Sequence, residues 1–155
     1  MKILIASDHA GYDLKQEVVR FLSDELALDS EDAGTHNRES CDFPDYAARV
    51  AQAVVGGEAD FGILICGTGI GMCVAANKVP GAVAALCSEC YSAWAARAHN
   101  DANILCLGGR VIGPELAKQV VRAFLAAERD DSGRHSARRA KVRALEGAAE
   151  GSGHE

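Results

Sequence analysis

Five short apolar runs recur along the chain, and each is followed by residues whose apolar spacing is that of a helix. The runs are Lys2–Ala6, Leu26–Ala33 (weaker, interrupted by acids), Phe61–Cys66, Ala82–Leu86 and Asn103–Leu107. Strands separated by helices cannot be joined as hairpins. They lie parallel, and the helices that return the chain cover both faces of the sheet. With 155 residues there is room for one domain with a proper core and too little for two. Aromatic residues make up only 5% of the chain, which suits a layered core of small side chains.

The helices are expected at Tyr12–Ser23, at Ala47–Val55, from the glycine loop to about Lys78, at Tyr91–Ala98, from Gly113-Pro114 to about Ala127, and at Arg134–Leu145. Leu14, Val18, Val19 and Leu22 give the first its apolar stripe, and Pro44 stands in the first turn of the second. Ser88 and Glu89 open the fourth. The result is an α/β chain: a single-domain, three-layer αβα, Rossmann-like fold with a five-stranded parallel sheet. A polar break, Asp130-Asp131-Ser132-Gly133, sets the last helix apart as a C-terminal arm. The domain is expected over 1–146, with 147–155 as a flexible tail.

The net charge of −6 argues against general nucleic-acid binding. Arg134, Arg138, Arg139, Lys141 and Arg143 nevertheless form a local basic run, either a solvated helix face or a phosphate site. No segment approaches the length of a membrane span, and the first apolar run is too short for a signal-peptide core. A cytoplasmic protein is expected, with its six cysteines (Cys41, Cys66, Cys73, Cys87, Cys90, Cys106) as reduced thiols.

In a parallel sheet the ligand crevice lies beyond the carboxyl ends of the strands. Asp8-His9, Gly34-Thr35, Cys66–Gly71 and Gly108–Arg110 all fall there, and the helix carrying His99 is expected to end on the same face. The segment Phe61–Lys78, FGILICGTGIGMCVAANK, is the richest in chemistry. Gly67, Gly69 and Gly71 allow a tight turn with exposed N–H groups. Cys66 therefore stands where a thiolate or another anion is stabilised, as a nucleophile or base beside an oxyanion cradle. A dinucleotide site is disfavoured because Met72 stands where GxGxxG needs its last glycine, and no GxxxxGK[ST] loop exists. Cys87-Ser88-Glu89-Cys90 is an isolated CxxC, short of the four ligands of a structural zinc site; disulfide exchange is its other reading.

Several segments resemble the ribose-5-phosphate isomerase B family, among the sugar-phosphate isomerases that include galactose-6-phosphate isomerase subunits. They are SDHAG at 7–11, DAGT at 32–35, DFPDYA at 42–47, GGEAD at 56–60, ILICGTGIGM at 63–72, AANK at 75–78, CSECYSAWAARAHNDANIL at 87–105, GGRVIG at 108–113 and GRHSARR at 133–139. The resemblance implies aldose–ketose isomerisation between ribose 5-phosphate and ribulose 5-phosphate, in the pentose phosphate pathway, through an enediol or enediolate. It implies no metal and no cofactor. Cys66 matches the family's proton-transferring base; some members carry a glutamate where this chain has Met72. His99 matches the ring-opening proton donor, and Thr68 adds a hydroxyl contact. Asp8 and His9 match substrate-contacting positions, Asn100 is expected to hold a sugar hydroxyl, and Arg110, Arg134 and Arg138 match the phosphate clamp. The loop N–H groups around Gly67, Gly69, Ile70 and Gly71 are expected to bind the substrate by stabilising the enediolate oxygens. Arg139, Lys141 and Arg143 have no such match and are read as solvated charges. The resemblance also implies a homodimer or a dimer of dimers with shared active sites, the last helix reaching the partner subunit. Three alternatives stay open: an isomerase of a six-carbon sugar phosphate (allose or galactose 6-phosphate), a non-catalytic sugar-phosphate-binding module, and CxxC redox chemistry.

Overall fold

The computed structural model describes residues 1–150, with side chains through Gly147. The predicted alternation resolves into β1 (Lys2–Ser7), α1 (Tyr12–Asp24), β2 (Asp29–Asp32), α2 (Phe43–Val55), β3 (Phe61–Cys66), α3 (Ile70–Ala76), β4 (Ala84–Leu86), α4 (Cys90–Asn100), β5 (Ile104–Gly108), α5 (Pro114–Ala126) and α6 (Gly133–Glu150). The five strands form one sheet in the order β2-β1-β3-β5-β4, and every pairing is parallel.

That order, with right-handed crossovers, decides which helix covers which face. The steps β1 to β2 and β4 to β5 run one way along the sheet; β2 to β3 and β3 to β4 run the other. So α1 and α4 share one face, and α2 and α3 the opposite one. The core divides accordingly. Ile3, Ile5, Ile63 and Ile65 pack with Leu14 and Val18 of α1, Ala93 of α4 and Phe124 of α5. Their strand neighbours Leu4, Ala6 and Leu64 pack with Val50 and Val54 of α2 and Met72 of α3. Alternate residues of one strand serve opposite layers, as the pleat requires.

Three of the boundaries that differ from the sequence-based expectation have a local reason. Strand β2 begins at Asp29 rather than Leu26, because Leu26 and Leu28 close the end of α1 against the core instead of extending. Ala27 takes a left-handed φ of 51° in that turn, and the N–H of Leu28 reaches Leu22 O at 2.9 Å. Helix α3 stops at Ala76 because the amide of Asn77 turns away to β4, donating to Ala84 O at 2.8 Å and accepting from Ala84 N–H at 2.9 Å. Helix α6 runs past Leu145 to Glu150. Gly147 alone costs only about 1 kcal/mol relative to alanine, and the helix formers Ala148, Ala149 and Glu150 follow it. Of the expected tail, 147–150 is therefore helical, and 151–155 lie outside the described residues.

Candidate active site

Strands β1 and β3 are neighbours, yet the chain leaves them in opposite directions, β1 toward β2 and β3 toward β4. The connecting segments part there, and a crevice opens at the carboxyl ends. Cys66, the last residue of β3, is 5% exposed. Its Sγ accepts the N–H of Gly69 at 3.1 Å. Helix α3 is only seven residues long, so this loop amide, more than a helix dipole, holds the sulfur. Gly69 is the loop glycine that needs a left-handed backbone, with φ of 78°; a Cβ there would come within 2.9 Å of the Leu107 carbonyl carbon. Thr68 Oγ1 accepts the N–H of Ile70 at 3.3 Å, so this hydroxyl also shapes the loop.

Neighbouring strand ends brace the same place. Gly109 N–H donates to Cys66 O at 2.8 Å and Arg110 N–H to Gly67 O at 2.9 Å. The Arg110 guanidinium lies over the loop, its Nη1 3.4 Å from where a Cβ on Gly67 would stand. From β1, Asp8 is buried and its Oδ1 accepts the N–H groups of Ala10 and Gly11 at 2.9 and 3.0 Å. His9 Nδ1 accepts the N–H of Cys41 at 3.3 Å, which assigns the neutral ring's proton to Nε2. The edge thus joins Asp8, His9, Cys66, Thr68 and Arg110, together with Gly67, Gly69, Ile70 and Gly71.

His99 is not on this edge, contrary to the sequence reading. Helix α4 returns the chain from the carboxyl end of β4 to the amino end of β5, so its last residues lie at the amino edge of the sheet. Arg97 shows the placement directly: its guanidinium sits 4.9 Å over the ring of Phe61, the first residue of β3. The six residues of β3 separate the two edges by about 17 Å. Asn100, His135 and Arg138 join His99 around a cavity of about 450 Å³ at that amino edge. Arg134 is beside them, its Nε 3.3 Å from His135 Nε2. Within one chain, then, the predicted site residues form two groups, one at each end of the sheet.

The second group is organised by side chains the sequence reading passed over. The His99 ring stacks on that of His135, centroids 4.2 Å apart and planes 5° apart, and meets the edge of Trp94 at 5.0 Å. His135 is 7% exposed. Burial, then the nearby His99, holds its pKa below the ordinary value; Asp130 opposes this, and Arg134 and Arg138 add to it. Arg139 is not a solvated charge but buried, donating to His99 O at 3.2 Å, Asp130 O at 2.8 Å and Asp131 Oδ1 at 2.9 Å. Arg143 pairs with Asp101 at 3.1 Å, and Arg97 and Arg129 converge on the same carboxylate. Helix α6 is therefore pinned to its own α4. The buried face is carried by His135 and Arg139, which stand about one helical turn apart.

Three thiols lie behind the catalytic loop. The hydrogen bond with Cys106 lowers the pKa of Cys73 to about 6 and, with burial, raises that of Cys106, whereas burial raises Cys87 to about 11. A raised pKa is the opposite of what a CxxC nucleophile needs, so the redox reading of Cys87 and Cys90 finds no support.

The fold and this site define an α/β protein of the doubly wound class, with a cradled thiol and an arginine at its switch point. The chain belongs to the Ribose/Galactose Isomerase family, whose model matches residues 3–142. It is 50% identical over 145 residues to ribose-5-phosphate isomerase B of Escherichia coli, covering 94% of this chain and 96% of that protein. A relative from Pectobacterium atrosepticum, D-erythrulose-4-phosphate isomerase, is 43% identical over 133 residues, covering 86% and 88%. The solved structure of ribose-5-phosphate isomerase B from Clostridium thermocellum superposes with a TM-score of 0.92 at 50% identity, covering 96% of this chain and 99% of that one. Among the described residues no helix is long and apolar enough to cross a membrane.

Proposed function

We infer that this protein interconverts ribose 5-phosphate and ribulose 5-phosphate by proton transfer through an enediolate. The observation that carries the reading is the sulfur of Cys66, fixed by a loop amide at 3.1 Å beside the Arg110 guanidinium. The thiolate takes the C2 proton of the open-chain aldose, leaving an enediolate. The proton of the C2 hydroxyl passes to the C1 oxygen, and the thiol returns its proton to C1 as the C2 oxygen becomes the ketone carbonyl. The amides of Gly69 and Ile70 are already engaged by Cys66 and Thr68. The enediolate oxygens therefore fall to the neighbouring N–H groups of Thr68 and Gly71, each contact worth about 3 kcal/mol in the transition state. Asp8 and His9 receive sugar hydroxyls.

The ring-opening acid His99, with Asn100 and the phosphate-clamping Arg134 and Arg138, comes from a second copy of the chain. The two-edge arrangement supports this, since one copy cannot bring His99 to Cys66 across the length of β3. So does the exposed apolar set Ile70, Val74, Leu86 and Trp94 around the short edge strand, which a partner would cover. Guanidinium forks from Arg110 and the partner's arm meet phosphate oxygens in pairs. Six unpaired thiols fit a reducing cytoplasm.

The test is solvent deuterium uptake with ribose 5-phosphate in the presence of EDTA, followed by NMR. Wild type is expected to label the carbon-bound positions and to turn over. Cys66→Ala should lose both by a factor of about 10² or more while keeping its fold. Full activity in Cys66→Ala would falsify the assignment. Running four-, five- and six-carbon aldose phosphates in parallel fixes the substrate, and preference for a tetrose or hexose phosphate would move the reading within the family.

A further inference from the structure

The geometry points to His135 as the positioning residue for His99: its imidazole lies flat on the ring of His99 and sets the plane from which that ring delivers its proton. This rests on reading His99 as the ring-opening acid. The two rings are 5° from parallel at 4.2 Å, and Trp94 closes a second side at 75°. A ring held by one parallel face and one perpendicular edge has little freedom about its χ2 torsion, and a proton donor gains from fixed aim.

His135 is itself well held. It is 7% exposed, and its N–H donates to Ser132 O at 3.1 Å. Its Nε2 accepts from Arg134 Nε at 3.3 Å, which places the neutral ring's proton on Nδ1. Asp130 Oδ2 stands 3.5 Å from the same nitrogen. The adjacent Arg139 bonds the carbonyls of His99 and Asp130, so α6, α4 and the link between α5 and α6 lock together at this point.

Charge also favours a neutral His135. Two imidazolium rings at this spacing repel. Burial, then His99, lowers the pKa of His135; Asp130 opposes this, and Arg134 and Arg138 add to it. The buried ring is thereby suited to act as a neutral support.

The experiment compares His135→Phe, which keeps a flat face, with His135→Leu, which keeps apolar volume without one. Two readouts separate positioning from folding. One is turnover of ribose 5-phosphate, which needs its ring opened. The other is deuterium uptake at C1 of ribulose 5-phosphate, which is acyclic and needs no ring-opening acid. His135→Leu should lose about tenfold or more in kcat on ribose 5-phosphate while C1 exchange stays within about twofold of wild type. His135→Phe should recover most of the lost turnover. Equal losses in both assays, unchanged turnover in the leucine variant, or identical behaviour of the two variants overturns the proposal. Absence of C1 exchange in the wild type would instead defeat the underlying isomerase reading.

Discussion

The proton-transfer role proposed for Cys66 requires that its sulfur be aimed, and it is aimed by a single N–H from its own loop. The other cysteines around it were not separable by sequence. Cys73, Cys87 and Cys106 all read as small core residues, yet their acidities are opposed: the hydrogen bond with Cys106 lowers the pKa of Cys73 and raises that of Cys106, while burial raises that of Cys87. Cys73 has its pKa lowered to about 6 and is mostly thiolate at pH 7; Cys87, at about 11, is protonated there. Iodoacetamide at pH 7 is therefore expected to label Cys73 well before Cys87 or Cys106, read by peptide mass spectrometry. Faster labelling of Cys87 would contradict the arrangement. Position 66 itself was legible, because an apolar strand running into alternating glycines leaves few choices for its last side chain. The role of each loop glycine was less so: among Gly67, Gly69 and Gly71, a left-handed φ occurs only at Gly69.

The helices divide by how much of their partner lies nearby in the chain. Helix α2 begins at Phe43 after Asp42 and stops at Gly56, close to its expected bounds, because its proline and glycine signals are local. The docking of α6 was hidden, since Arg139 finds His99 at a distance of 40 residues. That docking should weaken in acid. His135 has a folded pKa below its ordinary 6.5, and Asp130 and Asp131 have folded values below their ordinary 3.8. Ser132 holds down Asp130 and Arg129 holds down Asp131. In all three cases the unfolded group binds its proton more readily, so their stabilisation is present above the ordinary value and lost as pH falls through the folded one. The fluorescence of Trp94, the sole tryptophan and a neighbour of His99, reports this contact. A first change is expected below pH 6.5 and a second below 3.8. A flat signal over both ranges would show that the aspartates and His135 do not hold α6.

Across the molecule, strand alternation made the parallel sheet readable, while strand order escaped it. The order β2-β1-β3-β5-β4 sends α4 back toward the amino edge, and with it His99. Runs of apolar residues carry no mark of which neighbour they pair with, so the sequence reading put all the chemistry on one edge. The consequence can be measured by mixing. Cys66→Ala and His99→Ala are each expected to be inactive alone. In the proposed dimer, when subunits exchange at equal amounts, half of the dimers are mixed, and one of the two sites in each mixed dimer is intact. About a quarter of wild-type activity should return. If both groups served one site from the same chain, nothing would return. A different matter is settled at the rim of the sheet. Strand β4 is three residues long, and the carboxamide of Asn77 occupies the outward N–H and C=O of Ala84 as a neighbouring strand would. Further copies cannot extend the sheet by ladder pairing at that residue, which favours a closed assembly of fixed number over an open-ended fibre.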